Sequence, residues 1–404
     1  MENMENMEKL VDEIFETHRK EIEEISDYIF KNPELGLKEI KSAKYLISIL
    51  KKYGFTVEEN YCGFTTGFRG EFGDNKGPKI CFLPEYDALP GYGKNKDENR
   101  HACGHNWIAA TTLGAAIILS KMKDRFDGKI VIIGTPAEET LGAKVDMVNQ
   151  GAFDDIDVVF QMHLGAETNI GCRALAIDSL KFEFFGKASH AAAFPEEGIN
   201  ALDSVNLMFA GVSALRQHVS SDVRIHGAIR NGGGATNTIH DYASCEFMIR
   251  SATREYLDKV TEKVINCAKG AALMTGCTMK FSNVDNSYDN LLNISSLQNL
   301  LKSNLEKAGV KNILNGVEKG VGSSDIGNVS KVVPTSYCEM EIETEPNCYV
   351  HDENFLKYAN SKNAYELIEQ SVKATVYSSL ELYNNKCLLK KIKEEFLKKK
   401  CNKK

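Results

Sequence analysis

At 404 residues with 43% apolar content, the chain is long for a single hydrophobic core and rich enough to fill two, so two domains are expected. No apolar run approaches the ~20 residues that span a bilayer, so no membrane association is expected, and a net charge of −7 argues against nucleic acid as a partner. The eleven cysteines are odd in number and include no Cys-x-x-Cys pair, which points away from a disulfide framework and toward reduced thiols in the cytoplasm.

The opening MENMENMEKLVDEIFETHRKEIEEI reads as an acidic amphipathic helix without the basic n-region and apolar h-region of a secretory signal. Three short apolar runs follow, Lys79 to Leu83, Ile130 to Ile133 and Val158 to Phe160. Each ends in a polar or charged cluster, and they read as buried parallel strands. The stretch from Ile108 to Met122 has helical length and Ala/Leu/Ile content, so strand and helix alternate as in an α/β domain. In open sheets of this kind ligands gather beyond the carboxyl ends of the strands. Glu85 and Asp87 follow the first run, Glu138 and Glu139 the second, and His163 the third.

From about Ser179 the pattern changes. Leu180 to Phe184 alternates with period two, a helix is expected from Ala201 to His218, a second alternating segment spans Tyr242 to Ile249, another helix runs from Glu255 to Met274, and Met279 to Phe281 is a last strand. This describes a two-layer inserted domain, read as a lid over 178–290 within a catalytic domain built from 1–177 and 291–404. The final part carries His351 and a long helix after Asn363. The basic tail from Lys386 to Lys404 interleaves Leu, Ile and Phe with lysines and reads as the solvated face of a terminal helix. Gly232-Gly233-Gly234 and Gly322 read as turns needing positive φ; neither has the spacing of a dinucleotide loop.

Chemistry concentrates at His101-Ala102-Cys103-Gly104-His105-Asn106. Imidazole and thiolate within five residues suit zinc, cobalt or manganese, and acids brought from elsewhere would make the site hydrolytic. Cys103, His105, Glu139, His163 and His351 exceed the three protein ligands of a mononuclear catalytic zinc, so two divalent ions per chain fit better. Two such ions could share Cys103 as a bridging thiolate and activate a water. Glu138 is then the carboxylate left over to take that water's proton, and Asp87 a partner that orients a ligating histidine. For each residue alone a plainer reading exists: a buried apolar cysteine, or a Glu-Glu pair favoured at a helix start. Two further readings are a catalytically silent metal-binding scaffold and a thiol enzyme pairing Cys103 with His101 or His105.

In this order, Glu-Tyr-Asp-Ala-Leu-Pro (85–90), His-Ala-Cys-Gly-His-Asn (101–106), Pro-Ala-Glu-Glu (136–139), Met-His (162–163), Gly-Lys-Ala-Ser-His-Ala-Ala (186–192) and Gly-Ser-Ser-Asp (322–325) resemble the M20 metallopeptidase family over nearly the whole chain. Asn106, the run Arg224 to Gly227 and Asn231-Gly232-Gly233 look closest to the aminobenzoyl-glutamate hydrolases and their aminoacylase-1-like 2 dipeptidase relatives.

The resemblance implies a mixed-sheet hydrolase domain with an inserted α+β, ferredoxin-like lid that forms homodimers. It implies that Cys103, His105, Glu139, His163 and His351 bind two ions (zinc, manganese or cobalt), and that Glu138 is the general base. A lid histidine would reach the partner's active site: His226 is the candidate, with His190 as rival. Arg250, Asn237 and the Gly322-Ser323-Ser324 turn resemble a pocket for a substrate carboxylate, which a guanidinium can grip at two points. The expected activity is hydrolysis of an amide bond in a small carboxylate-bearing compound: an N-acyl amino acid, aminobenzoyl-glutamate or a dipeptide. Where the family commonly has Asn-x-Ile-Pro, this chain has Asn237-Thr238-Ile239-His240, which puts the local lid backbone in question.

Overall fold

Val11, Phe15, Ile22, Ile25 and Ile29 fall at helical spacing, and in the computed structural model, which describes residues 2–316 and 321–401, they form the buried stripe of the helix Glu2–Lys31. That stripe covers a second helix, His105–Lys121, which has almost no solvated face: every residue from His105 to Leu119 is buried. A helix apolar all round belongs in the middle of a layer. It lies against the sheet on one side and the helices Glu2–Lys31 and Lys362–Asn384 on the other. Gly114 permits the close approach, because a Cβ there would stand 2.8 Å from Val372 Cγ2 and 3.1 Å from Ile22 Cγ2.

The chain divides into two compact units. The first comprises the described residues up to Arg173, Leu291 to Gly316, and Asn328 onward. The strands of its large sheet are β1 (Thr56–Glu59), β2 (Phe68–Gly73), β3 (Lys79–Phe82), β4 (Lys129–Gly134), β5 (Val158–Gly165) and β10 (Thr335–Glu341), with β6 to β9 in the second unit and a separate small hairpin of Leu89–Tyr92 and Glu98–Arg100. They form one mixed sheet in the order β1-β2-β4-β3-β5-β10. β4, β3, β5 and β10 run parallel, while β1 and β2 are antiparallel additions at one edge. The parallel runs 79–83, 130–133 and 158–160 are thus where the sequence puts them. β1, β2 and β10 escape that reading because Glu58, Glu59, Arg69, Glu71, Glu339 and Glu341 break any continuous apolar run.

Two helix boundaries also shift. The buried helix begins at His105 rather than Ile108, because Gly104 at φ +87° turns the chain into it. The helix expected to reach His218 is α-helical for Ala201–Leu215 and ends in a tighter turn, Arg216–His218.

The second unit holds Ala174–Asn290 with Val321–Gly327. The strands of its four-stranded sheet are β6 (Ala176–Phe185), β7 (Arg224–Asn231), β8 (Tyr242–Ser251) and β9 (Thr278–Asn283), ordered β7-β8-β6-β9 and antiparallel throughout. The helices Ala201–Leu215 and Arg254–Thr275 cover one face around Phe182, Phe184, Val205, Phe247 and Val264. Arg254 grips Asp178 with two bonds of 2.7 Å, and the Thr261 hydroxyl donates to the same carboxylate at 2.6 Å.

The glycine run departs from expectation. Of Gly232, Gly233, Gly234 and Gly322, only Gly233 has positive φ, +94°. β7 bulges between Ile229 and Asn231, and the Asn231 side chain accepts from Gly233 N–H at 2.8 Å, so the turn needs one left-handed residue. His240, at the position where the family has proline, lays its ring where a Cβ on Gly233 would be, 2.2 Å away. Among the described residues no helix is long and apolar enough to cross a membrane.

Candidate metal centre

Three strand ends and one helix start of the first unit deliver titratable groups to one place. Beyond β3 lie Glu85 and Asp87, beyond β4 lie Glu138 and Glu139, His163 is near the end of β5, and Cys103 and His105 stand where the chain enters the buried helix. His351 comes from the loop after β10 with φ +73°, uncommon for a residue with a side chain. Its backbone is fixed on both sides: its N–H donates to the Ala102 carbonyl at 2.7 Å, and the Tyr92 hydroxyl donates to its carbonyl at 2.9 Å.

The ligating atoms of Cys103, His105 and His163 lie within 4.8 Å of one another, as do those of Cys103, Glu139 and His351 and those of His105, Glu138 and Glu139. His105 Nδ1–H donates to the Asp87 carboxylate at 2.9 Å, and His163 Nδ1–H donates to the Leu164 carbonyl at 2.6 Å. Those oxygens only accept, so each ring carries its proton on Nδ1 and offers the Nε2 lone pair to the cluster. His105 Nε2 and Glu139 Oε1 are buried with no hydrogen-bond partner, 3.7 Å apart. Glu139 Oε1 is 3.3 Å from His351 Nε2, and Cys103 Sγ is 3.4 Å from His163 Nε2. Buried polar atoms left without a hydrogen bond are costly. A cation among them removes that cost, so imidazole, carboxylate and thiol together fit a divalent metal centre.

The electrostatics agree. Burial opposes ionisation of Glu139, yet the His351 contact and the charges of His105 and His351 hold its carboxyl down at about 2. Burial also disfavours charge on His105, but Cys103 and Asp87 outweigh it and raise the imidazole well above its ordinary range, so Nε2 attracts a cation and an ion bound there would take the place of a proton. Burial and the Glu139 charge push the Cys103 thiol well up; a coordinated cation has the opposite effect on a thiol. His101, the alternative base for a thiol mechanism, is buried with neither ring nitrogen hydrogen-bonded. Burial and the neighbouring His105 lower it to about 3, and it makes no contact with Cys103 of the kind that mechanism needs.

Two features carry no role in the sequence reading. Lys144, wholly buried, pairs with Glu85 at 2.5 Å, and the other Glu85 oxygen is 3.6 Å from His105 Nε2. The only local signal is a lysine among the buried Ala143, Val145 and Met147. Glu39, in the turn before the helix Ile40–Lys52, accepts from Ala137 N–H at 2.8 Å and from the Thr66 hydroxyl at 2.9 Å. Nothing local marks it, since its partners are 98 and 27 residues away.

Burial and the nearby Asp87 charge push the Glu39 carboxyl up to about 7. A carboxyl raised in the folded state binds its proton more tightly there than in the unfolded chain. Its contribution is therefore present below pH ~4.5 and lost as pH rises toward ~7. Wild type should lose about 3 kcal/mol of stability relative to Glu39→Gln across that window, measured by denaturant unfolding at stepped pH; parallel curves for the two proteins would refute it.

In the second unit, Arg250 closes β8 and donates to Ser323 Oγ at 3.2 Å. Burial lowers its pKa, and among the described residues no carboxylate lies within 4 Å of it. Ser324 Oγ instead accepts from Ile326 N–H at 3.4 Å, and Asn237 is exposed in the loop ahead of Thr238–Ile239. His226 is exposed on β7, the edge strand, opposite Met248. His190 Nδ1 accepts from Ala192 and Ala193 N–H at 3.3 and 3.2 Å, so this ring is tied to its own turn.

The profile of peptidase family M20/M25/M40 matches residues 82–374. The chain is 34% identical over 391 residues to a Xaa-Arg dipeptidase of Mus musculus, covering 92% of this chain and 88% of the relative. It is 34% identical over 301 residues to a p-aminobenzoyl-glutamate hydrolase chain of Escherichia coli (strain K12), covering 70% and 62%. Among solved structures, a dinuclear metal-binding M20 peptidase of Bacillus subtilis superposes with a TM-score of 0.65 at 19% identity, covering 88% of this chain and 98% of that one.

Proposed function

The chain belongs to peptidase family M20/M25/M40, and from that membership we propose that it hydrolyses an amide bond in a small compound bearing a carboxylate: a dipeptide, an N-acyl amino acid or aminobenzoyl-glutamate. The observation that carries the metal-dependent part is the pair of buried atoms His105 Nε2 and Glu139 Oε1, neither of them hydrogen-bonded, within a cluster that also holds Cys103, His163 and His351. These five would hold two divalent ions, zinc, manganese or cobalt. Such ions supply Lewis acidity to the scissile carbonyl and lower the pKa of water.

The remaining steps belong to side chains. Asp87 fixes the tautomer and aim of His105. Glu138, beside the ligands but not needed by them, takes the proton from the attacking water and returns it to the leaving amine. Arg250, half-buried and bonded to Ser323, receives the substrate carboxylate, with Ser324 and Asn237 completing the pocket. The second unit acts as a lid and dimerises, and His226 of the partner donates to the developing oxyanion, a contribution of ~3 kcal/mol where such donors have been deleted in other enzymes. The free thiols throughout suit the cytoplasm.

The test is a substrate panel. Metal-loaded protein should cleave dipeptides, N-acyl amino acids or aminobenzoyl-glutamate, and amidation of the substrate carboxylate should abolish cleavage. Full metal loading with no turnover of any member would point to a silent scaffold. The role across the dimer has its own check: mixing inactive His226→Ala and Glu138→Gln chains, with exchange allowed, should restore about a quarter of wild-type activity, since about half the dimers gain one intact site. No recovery despite exchange would move the oxyanion role to His190 or to the ions.

A further inference from the structure

Glu138 sits in a three-residue elbow whose flanking amides are each held by a buried carboxylate: Ala137 N–H donates to Glu39 at 2.8 Å, and Glu139 N–H to Asp87 at 3.0 Å. Asp87 also holds a candidate metal ligand, but Glu39 touches none. We propose that Glu39 is a positioning residue for the reaction, fixing the elbow so that the Glu138 carboxylate is aimed for proton transfer; this rests on Glu138 being the base.

The elbow does not hold itself. Ala137 is buried at φ +58°, a left-handed conformation that a side-chain-bearing residue adopts only where its surroundings impose it. Glu39 supplies one constraint through the Ala137 N–H. On the other side the Ala137 carbonyl accepts from Gly142 N–H at 2.8 Å. Glu39 is itself immobilised: its second oxygen accepts from Thr66 Oγ1 at 2.9 Å, and the Thr66 carbonyl accepts from the Tyr86 hydroxyl at 2.6 Å.

The segment leading to Glu39 reaches both loops of the centre. Glu34 accepts Ala88 N–H at its carbonyl, next to Asp87. Gly36 passes so close beneath the elbow that a Cβ would stand 2.9 Å from Ala137 Cα and 2.5 Å from Thr140 Oγ1. A buried carboxyl is a poor choice for packing alone. One gripping a strained peptide next to the proposed base is explained by what it positions, because a misplacement of about 1 Å can cost ~100-fold in rate.

Glu39→Asp keeps the carboxyl group but is one methylene too short to reach Ala137. Its kcat on the best panel substrate should fall about 10- to 100-fold, with KM and bound metal within about twofold of wild type. Glu39→Gln keeps an acceptor for Ala137 N–H and a polar partner for Thr66, and should regain most of that loss. If Glu39 acts through Glu138, Glu39→Asp placed on Glu138→Gln should cost little more than Glu138→Gln alone.

Wild-type kcat in Glu39→Asp, or a rate loss that tracks lost metal, overturns the positioning role. Should Glu39→Asp not fold, Thr66→Val, which frees the second oxygen of Glu39, should still lower kcat severalfold at unchanged KM, and an unchanged kcat there overturns it equally. A fully active Glu138→Gln would instead remove the base assignment itself, which separates the two failures.

Discussion

Glu138→Gln is expected to lower kcat by roughly a thousandfold, the middle of the range for a lost general base, while two metal equivalents and substrate affinity stay near wild type. Glu139→Gln should fail differently, losing metal first and recovering part of its rate at high metal concentration. The contrast follows from position. Glu139 Oε1 is a buried acceptor 3.3 Å from His351 Nε2 and 3.7 Å from His105 Nε2, so its removal leaves two imidazoles facing nothing. Glu138 lies within 4.8 Å of His105 and Glu139, near enough to exchange a proton with a water held there. Steady-state kinetics beside metal analysis of the purified variants decides it. Near-normal turnover in Glu138→Gln, or equal metal loss in both, would show that base and ligand have been assigned to the wrong members of the pair.

Chelation should bring hydrolysis to background, and manganese, cobalt or zinc should restore it with about two ions per chain. Removing the ions exposes buried acceptors to one another, so the apo protein should also unfold at lower denaturant. Cys103 is buried and hard to ionise without an ion, so under alkaline conditions it should react slowly with an alkylating agent in the apo form and more slowly still in the loaded form. A metal-free sample of undiminished activity would end the metal mechanism, and equal labelling in both forms would take Cys103 off the ligand set.

How much could be read from the sequence depends on how far apart in the chain the partners lie. The three parallel strands were legible because a strand buried on both faces must be an apolar run, and the loops after them were legible because acids and histidines follow each run directly. β10 was not: Thr335–Glu341 alternates Cys338 and Met340, buried, with Tyr337 and Glu339, partly open, and two glutamates mask the pattern. The cluster of Cys103, His105, Glu139, His163 and His351 could be assembled because each residue type advertises ligation. Glu39 and Lys144 could not. A carboxyl that grips an amide 98 residues away, or an ammonium that meets a glutamate 59 residues away, looks locally like any charge beside a helix. Gly233 was legible as a glycine that must stay one, but its neighbours were not, because the side chain of Asn231 closes the turn.

Gly114 ties the interior of the fold to its chemistry in a way that bears on how such a chain can drift. It lies nine residues along the buried helix from His105, about 14 Å, where the flanking helices leave no room for a methyl group. The helix is a stiff rod with a ligand at one end, so crowding at position 114 is relieved by sliding or tilting the rod rather than by local adjustment. A substitution there should therefore be tolerated by folding before it is tolerated by catalysis. Lineages that alter the packing of Ile22 or Val372 gain freedom at 114 only by keeping the summed volume of the three positions constant.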